Sequence, residues 1–106
     1  MPEHRLPRLP RQVYAPAGPV PVVRRKDLVN PDTGDACDGL WVPDERRIYI
    51  ERRLGLASAH QTLRHEQFHA WVDDLRIQLP KEKLELLCDL YAMGRMGEDW
   101  ERQRAS

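Results

Sequence analysis

The alternation of hydrophobic and polar residues predicts short strands in the first half of the chain. Residues 40–42 and 47–50 are rich in β-forming side chains, and residues 43–46 suit a turn between them. A further strand is predicted within 20–29, and the turn formers of residues 30–35 predict a loop. The first half of the chain is therefore expected to form a small sheet that contains a β-hairpin.

Helical spacing replaces this alternation in the second half of the chain. Ser58 and Gln61 match a capping-box pattern, which predicts a helix over 59–75. A second helix is predicted over 80–95, with proline in its first turn and glycine stop signals near its end. Together these elements predict an α+β fold: a small antiparallel sheet with a hairpin, packed against two helices.

The distribution of proline divides the chain into three parts. Six of the nine prolines lie in the first 21 residues, so residues 1–20 are expected to form an extended or irregular arm, either disordered or covering a sheet edge. Residues 21–97 are expected to form one minimal domain. Residues 98–106 are a polar tail, in which Trp100 is a candidate for docking.

Composition and charge exclude several classes of function. Seventeen basic and 17 acidic residues cancel, which gives no reason to expect a nucleic acid or membrane partner. Cys37 and Cys88 are too few for a disulfide framework, and no secretory or membrane-spanning pattern is present. These features predict a cytoplasmic protein with reduced thiols.

The first predicted helix carries an H-E-x-x-H motif, His65-Glu66-Gln67-Phe68-His69. Histidines four residues apart lie on one helix face, where both can bind one metal ion. Glu66 points beside that ion, which is the position of a general base for a metal-bound water. The motif predicts one zinc ion per chain.

The second predicted helix offers the third ligand that a catalytic zinc site needs. Glu85 and Asp89 share one face of an otherwise leucine-rich helix, where buried acids are costly without a cation. We expect Glu85 to bind zinc and Asp89 to accept a hydrogen bond from a ligand histidine, with Asp89 as a near alternative ligand. The face continues through Ala92 and Met96. Apolar residues lie on its two flanks: Leu84, Leu87 and Tyr91 on one, and Leu86, Leu90 and Met93 on the other.

These motifs resemble the gluzincin pattern of zinc metallopeptidases. The segment from Glu85 to Ala92 is similar to a segment of ImmA/IrrE-like metallopeptidases, and the resemblance covers about residues 39–96. It implies His65, His69 and Glu85 as zinc ligands, Glu66 as base and Asp89 as a supporting residue. It also implies that the strand at 47–50 is the rim strand that pairs with an extended peptide substrate.

The chain departs from that pattern in two ways. Few residues separate His69 from the second helix, so the subdomain that completes the substrate cleft is missing. No motif places an oxyanion-stabilising residue among Tyr14, Tyr49 and Tyr91.

Three functional hypotheses therefore stay open. The first is a zinc-dependent peptidase whose substrate lies along the free edge of the hairpin. The second is a zinc-stabilised binding or regulatory module without catalysis. The third is a purely structural zinc ion with a fourth protein ligand, such as a cysteine.

Three further side chains receive provisional roles. Cys88 is expected to be a small packing residue rather than a ligand. An inhibitory contact between Cys37 and zinc is a remote alternative. Trp41 is expected to pack on the hairpin, although it could also contact a substrate.

Overall fold

The computed structural model describes residues 6–105 of the chain, and the side chains of residues 6–95. It contains one four-stranded sheet and two helices, which confirms the predicted α+β fold. The elements in chain order are β1 Gln12–Ala15, β2 Gly18–Arg25, β3 Gly39–Val42, β4 Arg47–Glu51, α1 Leu56–Asp74 and α2 Lys81–Ala105.

The sheet is mixed rather than wholly antiparallel. Its strand order is β1-β2-β4-β3, in which β1 pairs with β2 and β3 with β4 in antiparallel fashion, whereas β2 and β4 are parallel. The predicted β3–β4 hairpin is present, and β4 inserts between β3 and β2. Because β4 is paired on both sides, it cannot serve as the rim strand expected from the resemblance. The free edge of the hairpin belongs to β3.

The proline-rich arm contributes β1 and the first residues of β2. A turn at residues 16–17 joins the two strands. Gly18 follows the turn with a backbone φ of 132°, which residues that carry a side chain rarely adopt. Pro19 and Pro21 lie opposite Tyr14 and Gln12, while Val22 after them donates to the carbonyl of Arg11. Both prolines therefore occupy positions of β2 whose N–H groups would make no hydrogen bond to β1, so the missing donors cost the sheet nothing there.

The core lies between the sheet and α1. Val20, Ile48 and Ile50 from the sheet are completely buried against Ala59 and Leu63 of α1. α2 packs in turn against α1, which separates it from the core of the sheet. This layering brings one face of α2 against the H-E-x-x-H face of α1.

Both helices differ from their predicted bounds. α1 begins at Leu56 after Gly55, with no side-chain cap, so the predicted capping box is wrong because Ser58 already lies inside the first turn. α2 continues through Gly94 and Gly97 to Ala105, so the predicted stop signals do not end it, since each glycine costs a helix interior only about 1 kcal/mol. The predicted docking of Trp100 and the position of Met96 lie outside the described side chains.

One carboxylate ties the end of α1 to both hairpins. Asp74 accepts hydrogen bonds from the Arg46 guanidinium at 2.7 Å and 2.8 Å, and another from the N–H of Ala17 at 2.9 Å. Arg46 also donates to the carbonyl of Gly18 at 3.0 Å. These contacts, above all the hydrogen bonds from Arg46, lower the pKa of Asp74.

We expect Asp74→Asn to lower the free energy of unfolding at pH 7 by about 2 kcal/mol, because the bonds to Arg46 lose their charged acceptor. The folded pKa of Asp74 lies below its unfolded value. Its contribution is therefore present above the ordinary pKa of about 3.9 and is lost as the pH falls through the folded pKa. Urea unfolding at several pH values measures this, with exposed Asp44→Asn as control. If the difference in the free energy of unfolding between Asp74→Asn and wild type stayed constant as the pH fell, the ionised Asp74 carboxylate would not be the source of the stabilisation.

Among the described residues, no helix is long and apolar enough to cross a membrane.

Candidate metal centre

The two histidines of the motif lie side by side on α1. His65 and His69 are one helical turn apart, and their ring centroids are separated by 5.1 Å. Each side chain is 20% exposed, so both are largely covered but can be reached from solvent. Burial is the main cause that lowers the pKa of His69, which favours the neutral imidazole that a metal ion requires.

Glu85 on α2 reaches both imidazoles with its two carboxylate oxygens. Its Oε2 lies 3.1 Å from Nε2 of His65, and its Oε1 lies 3.2 Å from Nε2 of His69. Two ligands of a tetrahedral zinc ion are about 3.3 Å apart when each bond is about 2.0 Å long. These distances fit direct ion pairs between Glu85 and charged imidazoles as well as a small cation held between the donor atoms. The Glu85 side chain is 46% exposed, so the predicted cost of burying its charge does not decide between the two.

Asp89, one turn after Glu85, contacts the other nitrogen of His65. Its Oδ1 lies 2.8 Å from Nδ1 of His65. Carboxylates therefore face both nitrogens of one imidazole, an arrangement that suits either an imidazolium or an imidazole bound to a cation. A proton on Nδ1, donated to Asp89, leaves Nε2 with its lone pair directed towards Glu85.

Cys88 lies beside the two histidines, although the sequence favoured a packing role for it over ligation. Its sulfur and one ring nitrogen each from His65 and His69 all lie within 4.8 Å of one another, so these three residues could hold a metal ion. Cys88 is fully buried, and burial, followed by the charge of Glu85, raises the pKa of its thiol to about 12. The one available signal was helical spacing, since Cys88 follows Glu85 by three residues.

The side chain of Glu66, a residue of α1, lies against the edge strand β3. Burial raises its pKa to about 7, while the charge of His65 opposes this rise and that of Glu85 adds to it. The fit against β3 depends on Gly39. A Cβ atom there would lie 2.5 Å from Cγ2 of Thr62 and 3.1 Å from Cγ of Glu66. A larger residue at position 39 would therefore displace the side chain of Thr62 or shift β3 relative to α1.

Two cavities meet at His65 and Glu66, one on each side. The first encloses about 370 Å³ between the start of α1 and β3, and the second about 300 Å³ along β3 towards Glu85. The first is lined by Asp38, Gly39, Ser58, Gln61, Thr62, His65, Glu66 and Asp89. The second is lined by Asn30, Asp32, Gly39, Leu40, Trp41, His65, Glu66, His69 and Glu85. Together they form a polar cleft that follows the free edge of β3.

The tyrosines considered for oxyanion stabilisation have other contacts. Tyr49 is buried, and its hydroxyl donates to Glu45. The hydroxyl of Tyr14 accepts a hydrogen bond from Gln12, and the ring of Tyr91 packs on Phe68. None of the three tyrosines is among the described residues that line the two cavities.

Cys37 lies near the cleft without joining the His–His–Cys group. Its thiol pKa is raised by burial first and then by the charge of Glu66.

Comparison with protein-family models finds no match for this chain, and comparisons with curated proteins and solved structures find no significant match. The residues of the site therefore carry the functional inference by themselves.

Proposed function

We propose that the chain is a zinc-dependent peptidase with His65, His69 and Glu85 as ligands and Glu66 as general base. The observation that carries the proposal is the convergence of both imidazole Nε2 atoms on the Glu85 carboxylate, at 3.1 Å and 3.2 Å, beside a second glutamate in an open cleft. Two imidazoles and one carboxylate are a ligand set found in hydrolytic zinc sites, and they suit zinc better than calcium or magnesium.

Zinc, when bound here, would polarise a peptide carbonyl and make water more acidic. The remaining chemistry belongs to the side chains. Glu66 accepts a proton from the attacking water and returns it to the leaving amine, while Asp89 holds the ring of His65 in position.

An extended peptide would lie along β3. The N–H of Glu51 donates to the carbonyl of Asp38 at 2.7 Å, and the register pairs Trp41 with Ile48. Hydrogen-bonded pairs alternate in an antiparallel ladder, so the main-chain groups of Gly39 and Trp41 point away from β4. These groups offer a short edge for a peptide strand, with both cavities available to its side chains.

The direct test is incubation of the zinc-loaded chain with a mixed peptide library, followed by mass spectrometry of the products. Defined fragments that disappear on chelation and return with zinc support the peptidase. Selective peptide retention without cleavage would instead identify a binding module.

Cys88 favours a second candidate function, in which zinc only stabilises a binding module. A fourth protein ligand would close the site, and the thiol of Cys88 lies within 4.8 Å of a ring nitrogen of each histidine. A closed four-ligand site leaves no position for water or substrate.

We expect Cys88→Ser to bind zinc within about tenfold of the wild-type affinity, because the peptidase site uses the two histidines and Glu85. A competition titration against a chromophoric chelator measures this, and cobalt substitution reports a thiolate ligand by its charge-transfer absorption. Cys37→Ser is the matched control. Strong loss of metal and of the charge-transfer band in Cys88→Ser alone would favour the closed structural site.

We also propose a cytoplasmic location, since both Cys37 and Cys88 are free thiols.

A further inference from the structure

Two further cavities lie beside Trp71 and Tyr91, and both residues line both cavities. The smaller encloses about 180 Å³ at the end of α1, and the larger about 360 Å³ between β1, α1 and α2. The indole of Trp71 donates to the carbonyl of Tyr14 at 3.0 Å, which fixes the wall that the cavities share. Neither cavity shares a described lining residue with the polar cleft at the metal centre, so together they are a separate candidate site.

The smaller cavity is apolar because the chain folds back at the end of α1. Arg76 has a positive φ of 55°, and the N–H of Ile77 donates to the carbonyl of Val72 at 3.1 Å, which closes the helix end. Ile77 and Val72 therefore form part of the same wall. Four of the six described lining side chains have no polar atom: Phe68, Val72, Leu75 and Ile77. Leu75 and Ile77 are exposed, so solvent reaches an apolar surface of the kind that marks binding sites.

The larger cavity carries positive charge. Arg64 of α1 and Arg95 of α2 both line it, and none of its described lining residues is acidic. Arg64 donates to Oε1 of Gln67 at 2.9 Å, and Nε2 of Gln67 donates to the carbonyl of Tyr14 at 2.9 Å, so Arg64 is held in place from β1. A concave site lined by one sign of charge concentrates counter-ions, and the guanidinium fork matches a carboxylate. The larger cavity therefore favours an organic anion.

We infer that the two cavities together bind a small organic acid, whose carboxylate contacts Arg64 and Arg95 and whose apolar group enters the smaller cavity. Trp71 and Tyr91 line both cavities, so one ligand can contact both sets of residues. This site goes beyond the proposed peptidase function and needs no metal ion.

The size and the lining of the smaller cavity favour a short alkyl chain or a single ring. Its volume of about 180 Å³ has room for about six groups of the size of a water molecule. A free acid fits better than the end of a peptide, because peptide amides would lose their hydrogen bonds to water against the apolar wall.

The direct test is an NMR titration of the ¹⁵N-labelled chain with octanoate, once with a chelator and once with zinc. We expect saturable shifts at the Trp71 indole and the Ile77 amide under both conditions. Octanamide keeps the chain but lacks the charge, and acetate keeps the charge but lacks the chain. Each should bind at least about tenfold more weakly than octanoate, because each satisfies only one of the two cavities.

Two variants separate the contributions of the cavities. Arg95→Gln removes one cation from a half-buried position and should weaken octanoate about tenfold while the affinity for octanamide stays unchanged. Leu75→Ser changes an exposed wall residue of the smaller cavity and should weaken both ligands by the same factor. The matched control is Arg47→Gln, the same change at an exposed residue of β4 that lines neither cavity, which should bind octanoate as wild type does.

Four results would overturn the inference. The first is no saturable shift up to about 10 mM octanoate, a concentration that fills even a millimolar site. The second is equal affinity of the wild-type chain for octanoate and octanamide. The third is an equal loss of octanoate affinity in Arg95→Gln and Arg47→Gln. The fourth is tighter binding of a peptide that ends in leucine than of octanoate, which would make a peptide terminus the ligand. All four are read without catalysis, so they are independent of whether the chain cleaves peptides.

Discussion

Replacing His69 with alanine is expected to remove zinc from the chain, with an affinity loss greater than about 100-fold. His69 contributes one of the two imidazole nitrogens beside Glu85, and its Nε2 lies 3.2 Å from Oε1 of that residue. Substitution of a residue that only supports a ligand costs about 10–100-fold in metal affinity, so loss of the ligand itself should cost more. Elemental mass spectrometry of purified wild type and His69→Ala, after zinc is offered at neutral pH, measures the effect.

Two companion variants make this result specific. Asp89→Asn should weaken zinc binding by about 10–100-fold, because Asp89 contacts only the second nitrogen of His65. Lys83→Ala changes an exposed residue of α2 outside the cleft and should keep the wild-type zinc content. Because metal binding stabilises the folded chain, zinc should also raise the midpoint of thermal unfolding in wild type but not in His69→Ala. Equal zinc content in wild type and His69→Ala would rule out the proposed ligand set.

Local sequence signals predict the β3–β4 hairpin and the two helices. In each, neighbouring residues carry the information: β-forming residues around a turn for the hairpin, and helical spacing for α1 and α2. The parallel pairing of β2 with β4 has no such signal, because it joins Val22 to Ile48 far along the chain. A strand was predicted within 20–29, which overlaps β2, but proline obscured β1 and the start of β2, since residues that disfavour a central strand are tolerated where a ladder leaves N–H groups unused.

In the candidate site too, the sequence predicts which residues share a helix face, but not how closely two elements approach each other. Helical periodicity places His65 with His69, and Glu85 with Asp89, on the faces that the structure brings together. It could not decide between packing and ligation for Cys88, because that depends on how closely α2 approaches α1. The contact of Trp41 with Asp73 likewise depends on the distance between β3 and α1, which no residue pattern within either element specifies.

Glu66→Gln is expected to lower peptide turnover by about 1000-fold while zinc content stays at about one per chain. Glutamine keeps the shape of the side chain, but its amide cannot take a proton from water. Burial already raises the pKa of Glu66 to about 7, so the variant removes a carboxylate that is costly to bury and should fold normally. Measurements of kcat and zinc content on the same preparation test this.

The matched control is Glu82→Gln, the same change at an exposed residue in the first turn of α2, which should keep wild-type turnover. Combining zinc content with turnover separates the roles that Glu66 could have. Retained zinc with lost turnover is the expected signature of a general base. Loss of zinc together with turnover would mean that Glu66 helps to hold the metal ion. Turnover within about tenfold of wild type would mean that another group takes the proton, because a positioned general base contributes at least about 100-fold.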